Sequence, residues 1–106
     1  MTDINTLSRV YLRVPATAAT IAGVDVDPTT LPVEMAVIAS GTTVDDTDFH
    51  DAIWETIDTV NAAAVLVGPG GSPSIGVFTP EFYDVYVRIT DSTEIPVECA
   101  GTVRFV

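Results

Sequence analysis

Lysine is absent from this chain, and the sequence contains only four arginines but fifteen Asp and Glu residues, which gives a formal net charge of −11. So acidic a protein is repelled by phosphate backbones and by anionic membranes before any local contact forms. We therefore expect neither nucleic acid nor a membrane as a partner. No apolar run reaches the ~20 residues of a membrane-spanning helix. Residues 1–15 have neither a basic leader nor a signal-peptide core, so the sequence predicts a protein made in the cytoplasm without a signal peptide.

Cysteine and histidine occur once each. Cys99 cannot close an intramolecular disulfide, and its place in an alternating apolar pattern predicts a buried, small hydrophobic residue. His50 lies far from Cys99 in sequence, so no thiol or hydroxyl nucleophile has an evident base beside it. The residues thus predict a protein that is not an enzyme and needs no cofactor.

Two short segments superficially resemble ligand-binding loops. The segment 45–51 is rich in oxygen and nitrogen ligands, namely Asp45, Asp46, Asp48, His50 and Asp51. It lacks the glycine turn and the terminal bidentate glutamate of a calcium loop, so we expect a solvated acidic loop and no metal. The segment "GPGGSP", residues 68–73, is followed by no lysine, which argues against a phosphate-binding loop and favours a mobile loop tip.

Short apolar runs and frequent chain breakers dominate the rest of the sequence. Seven glycines and seven prolines separate these runs over 106 residues, a pattern typical of many short strands. A single domain of this size buries roughly 65% of its unfolded surface. We predict an all-β fold, a single immunoglobulin-like β-sandwich of about seven short antiparallel strands over residues 8–106, preceded by a flexible N-terminal arm of residues 1–7.

The clearest strand patterns lie at the C-terminus, in "DVYVRITDSTEIPVECAGTVRFV", residues 84–106. Apolar and polar residues alternate there with the period of two that is expected of strands with one buried face. Gly101 interrupts this pattern and indicates a bulge or a close backbone approach. The predicted inner face comprises Val85, Val87, Ile89, Val97, Cys99, Val103 and Phe105.

The segment 43–60 can be interpreted in two ways. Phe49, Ile53, Ile57 and Val60 recur at helical spacing, which allows one short helix near residues 45–58. The alternative is an irregular strand over "FHDAIWE", residues 49–55, whose tryptophan covers one end of the core.

All four arginines lie on the outward parity of predicted strands. If the first strand and the last two share a sheet, these side chains form a basic stripe that can pair with a partner's carboxylates. Tyrosines on the same parity would add the aromatic contacts typical of interfaces. The alternative is cross-strand pairing of the arginines with acids of the same domain. The candidate interface residues are Arg9, Tyr11, Arg13, Tyr86, Arg88 and Arg104.

Four segments occur in the order "VYLRVP", "VDVDPTTLPVEMAVIA", "AAVLVGPGG" and "DVYVRITDSTEIPVECAGTVRFV". This series resembles small β-sandwich proteins encoded among the structural genes of tailed phages that infect actinobacteria, and the resemblance covers nearly the whole chain. Tyr86 stands where these proteins are expected to have tryptophan. "FHDAIWE" is similar to a segment that carries two tryptophans in such proteins, with Phe49 in place of the first. The resemblance favours the strand over the helix there.

The resemblance implies a non-enzymatic structural subunit of the virion, a decoration or minor capsid protein that binds major capsid or connector proteins and is oligomeric in the particle. Two other functions stay open. One is a head–tail connector or tail component. The other is a ligand-binding or adhesion module, in which Trp54, Tyr83 and Tyr86 would form a platform that stacks on carbohydrate.

Overall fold

A computed structural model describes residues 2–16, 19–21, 24–26, 31–57, 60–71, 74–76, 78–90, 95 and 97–106. The described chain has ten strands and one short 3-10 helix, Asp46–Asp48. The strands are β1 Thr2–Ile4, β2 Val10–Ala16, β3 Ala19–Ile21, β4 Val24–Val26, β5 Val33–Ala39, β6 His50–Asp51, β7 Ile53–Ile57, β8 Val60–Val67, β9 Phe82–Ile89 and β10 Val97–Phe105. No helix in these ranges is long and apolar enough to cross a membrane.

The strands form two main sheets and one small hairpin. The larger sheet has the strand order β1-β10-β9-β5-β6, the smaller sheet has the order β2-β8-β7, and β3 pairs with β4. One hydrophobic core contains buried side chains from both main sheets, which is the arrangement of a β-sandwich. The predicted all-β sandwich is confirmed. The pairing is antiparallel except between β1 and β10, which run parallel.

Alternation of side chains builds the core, because every second residue of a strand points to the same face. Met35, Val85 and Phe105 come from the larger sheet, and Ala63 and Val67 come from the smaller one. Aromatic rings fill one part of this core. Phe78 stacks on Phe105 with ring centroids 4.6 Å apart, and Tyr83 meets both rings edge-on.

The predicted flexible arm is wrong for residues 2–4. These residues form β1, whose partners in the parallel pairing with β10 are Val103, Arg104 and Phe105. Ile4 lies in the hydrophobic core with 7% of its surface exposed. This strand could not be predicted from the sequence, because three residues are too few to show a periodic pattern.

The strand interpretation of residues 49–55 is correct, and the short helix predicted near 45–58 is wrong. A single 3-10 turn, Asp46–Asp48, is followed by β6 and β7. Trp54 packs against the core and donates a hydrogen bond from Nε1 to the carbonyl of Leu31, at 2.9 Å. The backbone N–H and C=O groups of β7 find their hydrogen-bond partners on β8. In a helix, the same groups would have bonded within the segment.

A β-bulge divides β10 into two halves with opposite facing. Cys99 pairs with Tyr86, and Gly101 pairs with Val85, so two residues of β10 advance the partner strand by only one. Because paired residues share a face, Cys99 and Val97 lie on the outer face. Both are exposed, so the predicted burial of Cys99 and Val97 is wrong. Gly101 has φ +144°, in the region that favours glycine, as expected of a residue at a bulge.

Candidate protein-interaction surface

The six candidate interface residues do not share one face. Three of them, Arg9, Tyr11 and Arg13, lie in β2 or directly before it, and the other three, Tyr86, Arg88 and Arg104, lie in β9 and β10. β2 belongs to the smaller sheet, whereas β9 and β10 belong to the larger one. The predicted continuous basic stripe is therefore wrong. Its premise failed because the first long strand and the last two strands are in opposite layers of the sandwich.

Arg13 forms an ion pair across the outer face of the smaller sheet. Its Nε atom lies 2.5 Å from Oε2 of Glu55. The two residues are on the outer strands, and the alanines between them on the central strand β8, Ala62 and Ala64, have side chains too small to interfere. Arg13 is thus engaged within the domain, as the alternative interpretation expected.

Arg104 forms an ion pair with β1. Its Nε and Nη2 atoms donate to the two carboxylate oxygens of Asp3, at 3.1 and 2.7 Å. The guanidinium also lies 5.9 Å from the ring centroid of Phe82, its cross-strand partner on β9. This bidentate contact fixes the N-terminal strand to the edge of the larger sheet.

Arg88 makes more hydrogen bonds than Arg13 or Arg104, and its side chain is the least exposed of the three. It donates from Nε and Nη2 to the carboxylate of Glu34, at 3.1 and 2.9 Å, and its Nη1 pairs with Asp46. Its guanidinium carbon lies 4.1 Å above the ring of Phe49, and only 15% of its side chain is exposed. The hydrogen bonds to Glu34 raise the pKa of Arg88, with a further contribution from Asp46, so this side chain stays charged. The contacts hold the acidic segment 45–49 against the sheet.

Arg9 packs on the glycine-rich segment. A Cβ atom on Gly70 would lie 2.0 Å from one of its guanidinium nitrogens, and a Cβ on Gly68 would lie 2.0 Å from the carbonyl oxygen of Ser8. Ser74 closes the loop by donating from Oγ to the carbonyl of Gly68 at 2.6 Å. Gly68 and Gly70, in the predicted mobile loop tip, are thus packed against the start of β2. The Ser8 backbone requires glycine at position 68, and the φ of +114° favours glycine at position 70.

A carboxylate network lies at the centre of the outer face of the larger sheet. Asp84 Oδ1 accepts hydrogen bonds from the hydroxyls of Ser40 and Thr102, at 2.9 and 3.0 Å. These hydrogen bonds lower the pKa of Asp84. The bond from Ser40 has the largest effect, the bond from Thr102 comes next, and a hydrogen bond from the backbone of Gly41 contributes as well. These contacts connect the three central strands on the side opposite the core.

The outer face of the larger sheet, defined here by Phe82, Tyr86, Val97 and Cys99 and the ionic groups between them, carries exposed apolar side chains. Phe82 and Val97 are each 45% exposed, and Cys99 is exposed as well. Ile95, just before β10, is 58% exposed. Aromatic, aliphatic and Arg side chains together are characteristic of protein interfaces.

Sequence reasoning missed Phe82 and Val97 as members of this face. Phe82 has the same parity as Tyr86 and Arg88 in β9, so alternation alone could have identified it. Val97 could not be identified from alternation, because the bulge reverses the facing of the first half of β10.

The predicted carbohydrate platform is not assembled. Tyr83 is buried in the core, where its hydroxyl contacts Thr79. Trp54 packs against the core from the smaller sheet, whereas Tyr86 lies on the outer face of the larger sheet. The three rings therefore point into different environments and cannot stack on one sugar.

Two carboxylates of the acidic segment make contacts within the domain. Asp46 pairs with Arg88, and Asp48 accepts a hydrogen bond from the backbone N–H of Asp45 at 2.8 Å. Among the described residues, no group of three or more His, Cys, Asp or Glu side chains is arranged to hold a metal ion.

Comparison with known proteins finds no matching family model, curated protein or solved structure.

Proposed function

We propose that this protein is a non-enzymatic structural subunit of a tailed-phage virion, a decoration or minor capsid protein that binds major capsid or connector proteins. The resemblance of four ordered segments to small phage sandwich proteins supports this function. The single structural observation that carries it is the outer face of the larger sheet, where Phe82 and Val97 are half exposed beside Arg104 and Tyr86.

Binding through this face is consistent with its electrostatics. Arg88 and Arg104 are paired with acids of the same domain, so they contribute planar, partly neutralised surfaces and not a free positive field. Burial of Phe82 and Val97 in a partner would remove apolar surface from water at roughly 25 cal/mol per Å². The apolar residues would therefore supply the affinity, and the ion pairs would supply the polar surroundings.

The function is tested on purified particles of the phage that encodes this chain. Mass spectrometry should detect the protein after two successive density gradients, in a constant ratio to the major capsid protein. A ratio near that of the capsid lattice supports a decoration role, whereas a far smaller one indicates a connector or tail component. Loss of the protein during purification would contradict a virion function.

A second experiment tests the face itself. Replacing Phe82 and Val97 together with Ser should abolish incorporation into particles, while the free subunit still unfolds in one cooperative thermal transition. The matched control is Leu7→Ser, because Leu7 is also apolar and is 84% exposed but lies between β1 and β2. Equal incorporation of both variants would show that the outer face is not the contact.

A further inference from the structure

Among the edges that no described strand covers, two lie close together: one edge of β2 and part of one edge of β10. β2 is an edge strand of the smaller sheet and pairs only with β8. β10 pairs with β9 along its length, but on its other side β1 covers only Val103 to Phe105. Residues 97–102 of β10 therefore present backbone N–H and C=O groups that no described strand satisfies.

The two open edges border one groove. Residues 12–15 of β2 and residues 100–103 of β10 form its sides, together with Val85, and its volume is about 160 Å³. Leu12, Val85 and Val103 form the apolar part of the lining, and the polar part includes Thr102 and Arg13, whose charge is paired with Glu55. An apolar cavity of ~150 Å³ holds a benzene ring, so this groove has room for a large aliphatic side chain.

We propose that this groove binds an extended, basic segment of a partner protein, which adds a strand to the larger sheet beside residues 97–102 of β10. An open strand edge selects an extended backbone, because only a strand satisfies its N–H and C=O groups in register. The six open positions correspond to ~20 Å of added strand. The added strand would continue the row that β1 begins.

Alternation then specifies the chemistry of the segment. Every second side chain of an added strand faces the groove, where Val, Ile or Leu would contact the aliphatic part of the lining, Leu12, Val85 and Val103. Nothing lies within 4 Å of the position that a Cβ of Gly101 would occupy, so the bulge leaves space for the incoming chain.

Charge favours a basic segment over a second copy of this protein. Glu98 is exposed on β10, with Val87 as its cross-strand partner, and therefore has the parity of the core face. An inward-facing charge on an edge strand disfavours pairing with an identical edge, since the second copy would add another carboxylate and no cation to the same edge. Each copy also carries a formal charge of −11. A segment with Arg or Lys next to its apolar residues meets Glu98 favourably.

This inference goes beyond the virion function and does not depend on it. Both surfaces include part of β10, but they use different groups: strand addition uses the main-chain edge of residues 97–102, whereas capsid contact is proposed for the outward side chains of Phe82, Tyr86, Val97 and Cys99. The test uses only the isolated, full-length subunit. Absence of the protein from particles would therefore refute the virion function and leave the groove untested by that result.

The probe is a synthetic peptide, acetyl-Arg-Val-Thr-Val-Arg-Val-amide, titrated into the isotopically labelled subunit and followed by NMR. We expect the largest amide shifts at residues 97–102 and 11–14. A version with N-methyl groups on alternate backbone nitrogens should bind about tenfold more weakly, because strand addition depends on main-chain hydrogen bonds.

Glu98→Lys should weaken peptide binding about tenfold, and a peptide with Glu in place of Arg should restore binding to this variant. Glu81→Lys is the matched control, because Glu81 is also exposed and the change in net charge is the same, but it lies at the other end of the β9–β10 pair. The control should bind the peptide as the wild type does. Equal weakening by both variants, amide shifts that leave residues 11–14 unchanged, no binding, or a dimer closed through residues 97–102 would each overturn the proposal.

Discussion

The guanidinium of Arg88 lies over the ring of Phe49, with its central carbon 4.1 Å from the ring centroid. Phe49 directly follows the 3-10 turn Asp46–Asp48, and Asp46 pairs with the same guanidinium. One side chain on β9 therefore fixes the acidic segment by stacking and by charge. These contacts within the domain agree with the alternative interpretation, in which the arginines pair with acids of the same domain.

Arg88→Lys should lower the free energy of unfolding by about 1–2 kcal/mol. Lysine keeps the positive charge but loses the planar fork that makes two hydrogen bonds to Glu34 and stacks on Phe49. Urea denaturation of the purified subunit measures this loss.

Arg104→Lys is the matched control for that experiment. Arg104 also contacts a carboxylate in bidentate fashion, but the side chains of Arg104 and Asp3 are 44% and 50% exposed, and exposed pairs contribute little. We expect a loss of about 0.5 kcal/mol or less. Similar losses for both lysine variants would contradict the anchoring role of Arg88.

Ile4→Ala should destabilise the subunit by about 2–4 kcal/mol, because the side chain is buried in the core and its truncation leaves a cavity. Leu7→Ala, three residues later, should change stability by less than about 0.5 kcal/mol, since Leu7 is almost fully exposed. Thermal unfolding of the two variants compares them directly. A negligible effect of Ile4→Ala would restore the flexible arm that the sequence suggested.

Local alternation predicted much of the fold. The segments around Val33 and Val85 have the period of two, the segment around Val65 is a continuous apolar run that ends at a Gly/Pro loop, and each forms a strand of the sandwich. The expected bulge at Gly101 is present as well. These features depend on neighbouring residues, which a sequence displays directly.

The features that sequence reasoning missed depend on long-range pairing. Asp3 and Arg104 are 101 residues apart, and no local pattern indicates that β1 lies beside β10. The division of the arginines between two sheets is likewise a property of topology. The consequence of the bulge was missed for a different reason, since its position was expected but the reversed facing of Val97 and Cys99 was not deduced from it.

Low pH should weaken the hydrogen-bond network around Asp84 and thereby lower the stability of the subunit. Its native pKa lies below the ordinary value of 3.8, whereas the unfolded chain has the ordinary value. The folded state thus binds this proton less readily, and its contribution to stability is complete above that ordinary value and is lost as pH falls through the native pKa. Removing both donors, Ser40→Ala with Thr102→Ala, should reduce the stability lost between about pH 5 and about pH 2.5.

Urea denaturation at a series of pH values measures that slope for Asp84. Thr56→Ala is a suitable control, because the Thr56 hydroxyl donates to the neutral amide oxygen of Asn61 and to no carboxylate. The control should lower stability, if at all, by the same amount at every pH. Parallel curves for the wild type and the double variant would show that the two hydroxyls do not stabilise the Asp84 carboxylate.

Thiol labelling tests the reversed facing of β10. Cys99 should react with a maleimide in the native subunit nearly as fast as in the urea-unfolded chain, because its side chain is exposed on the outer face. Val103 is four residues after Cys99, so simple alternation would place both side chains on one face. Beyond the bulge, however, the Val103 side chain faces the core and is 6% exposed. Val103→Cys in a Cys99→Ser background should therefore be labelled about 100-fold more slowly, at a rate limited by opening of the fold. If both thiols were protected until unfolding, the two halves of β10 would face the core together, and the bulge would not reverse the strand.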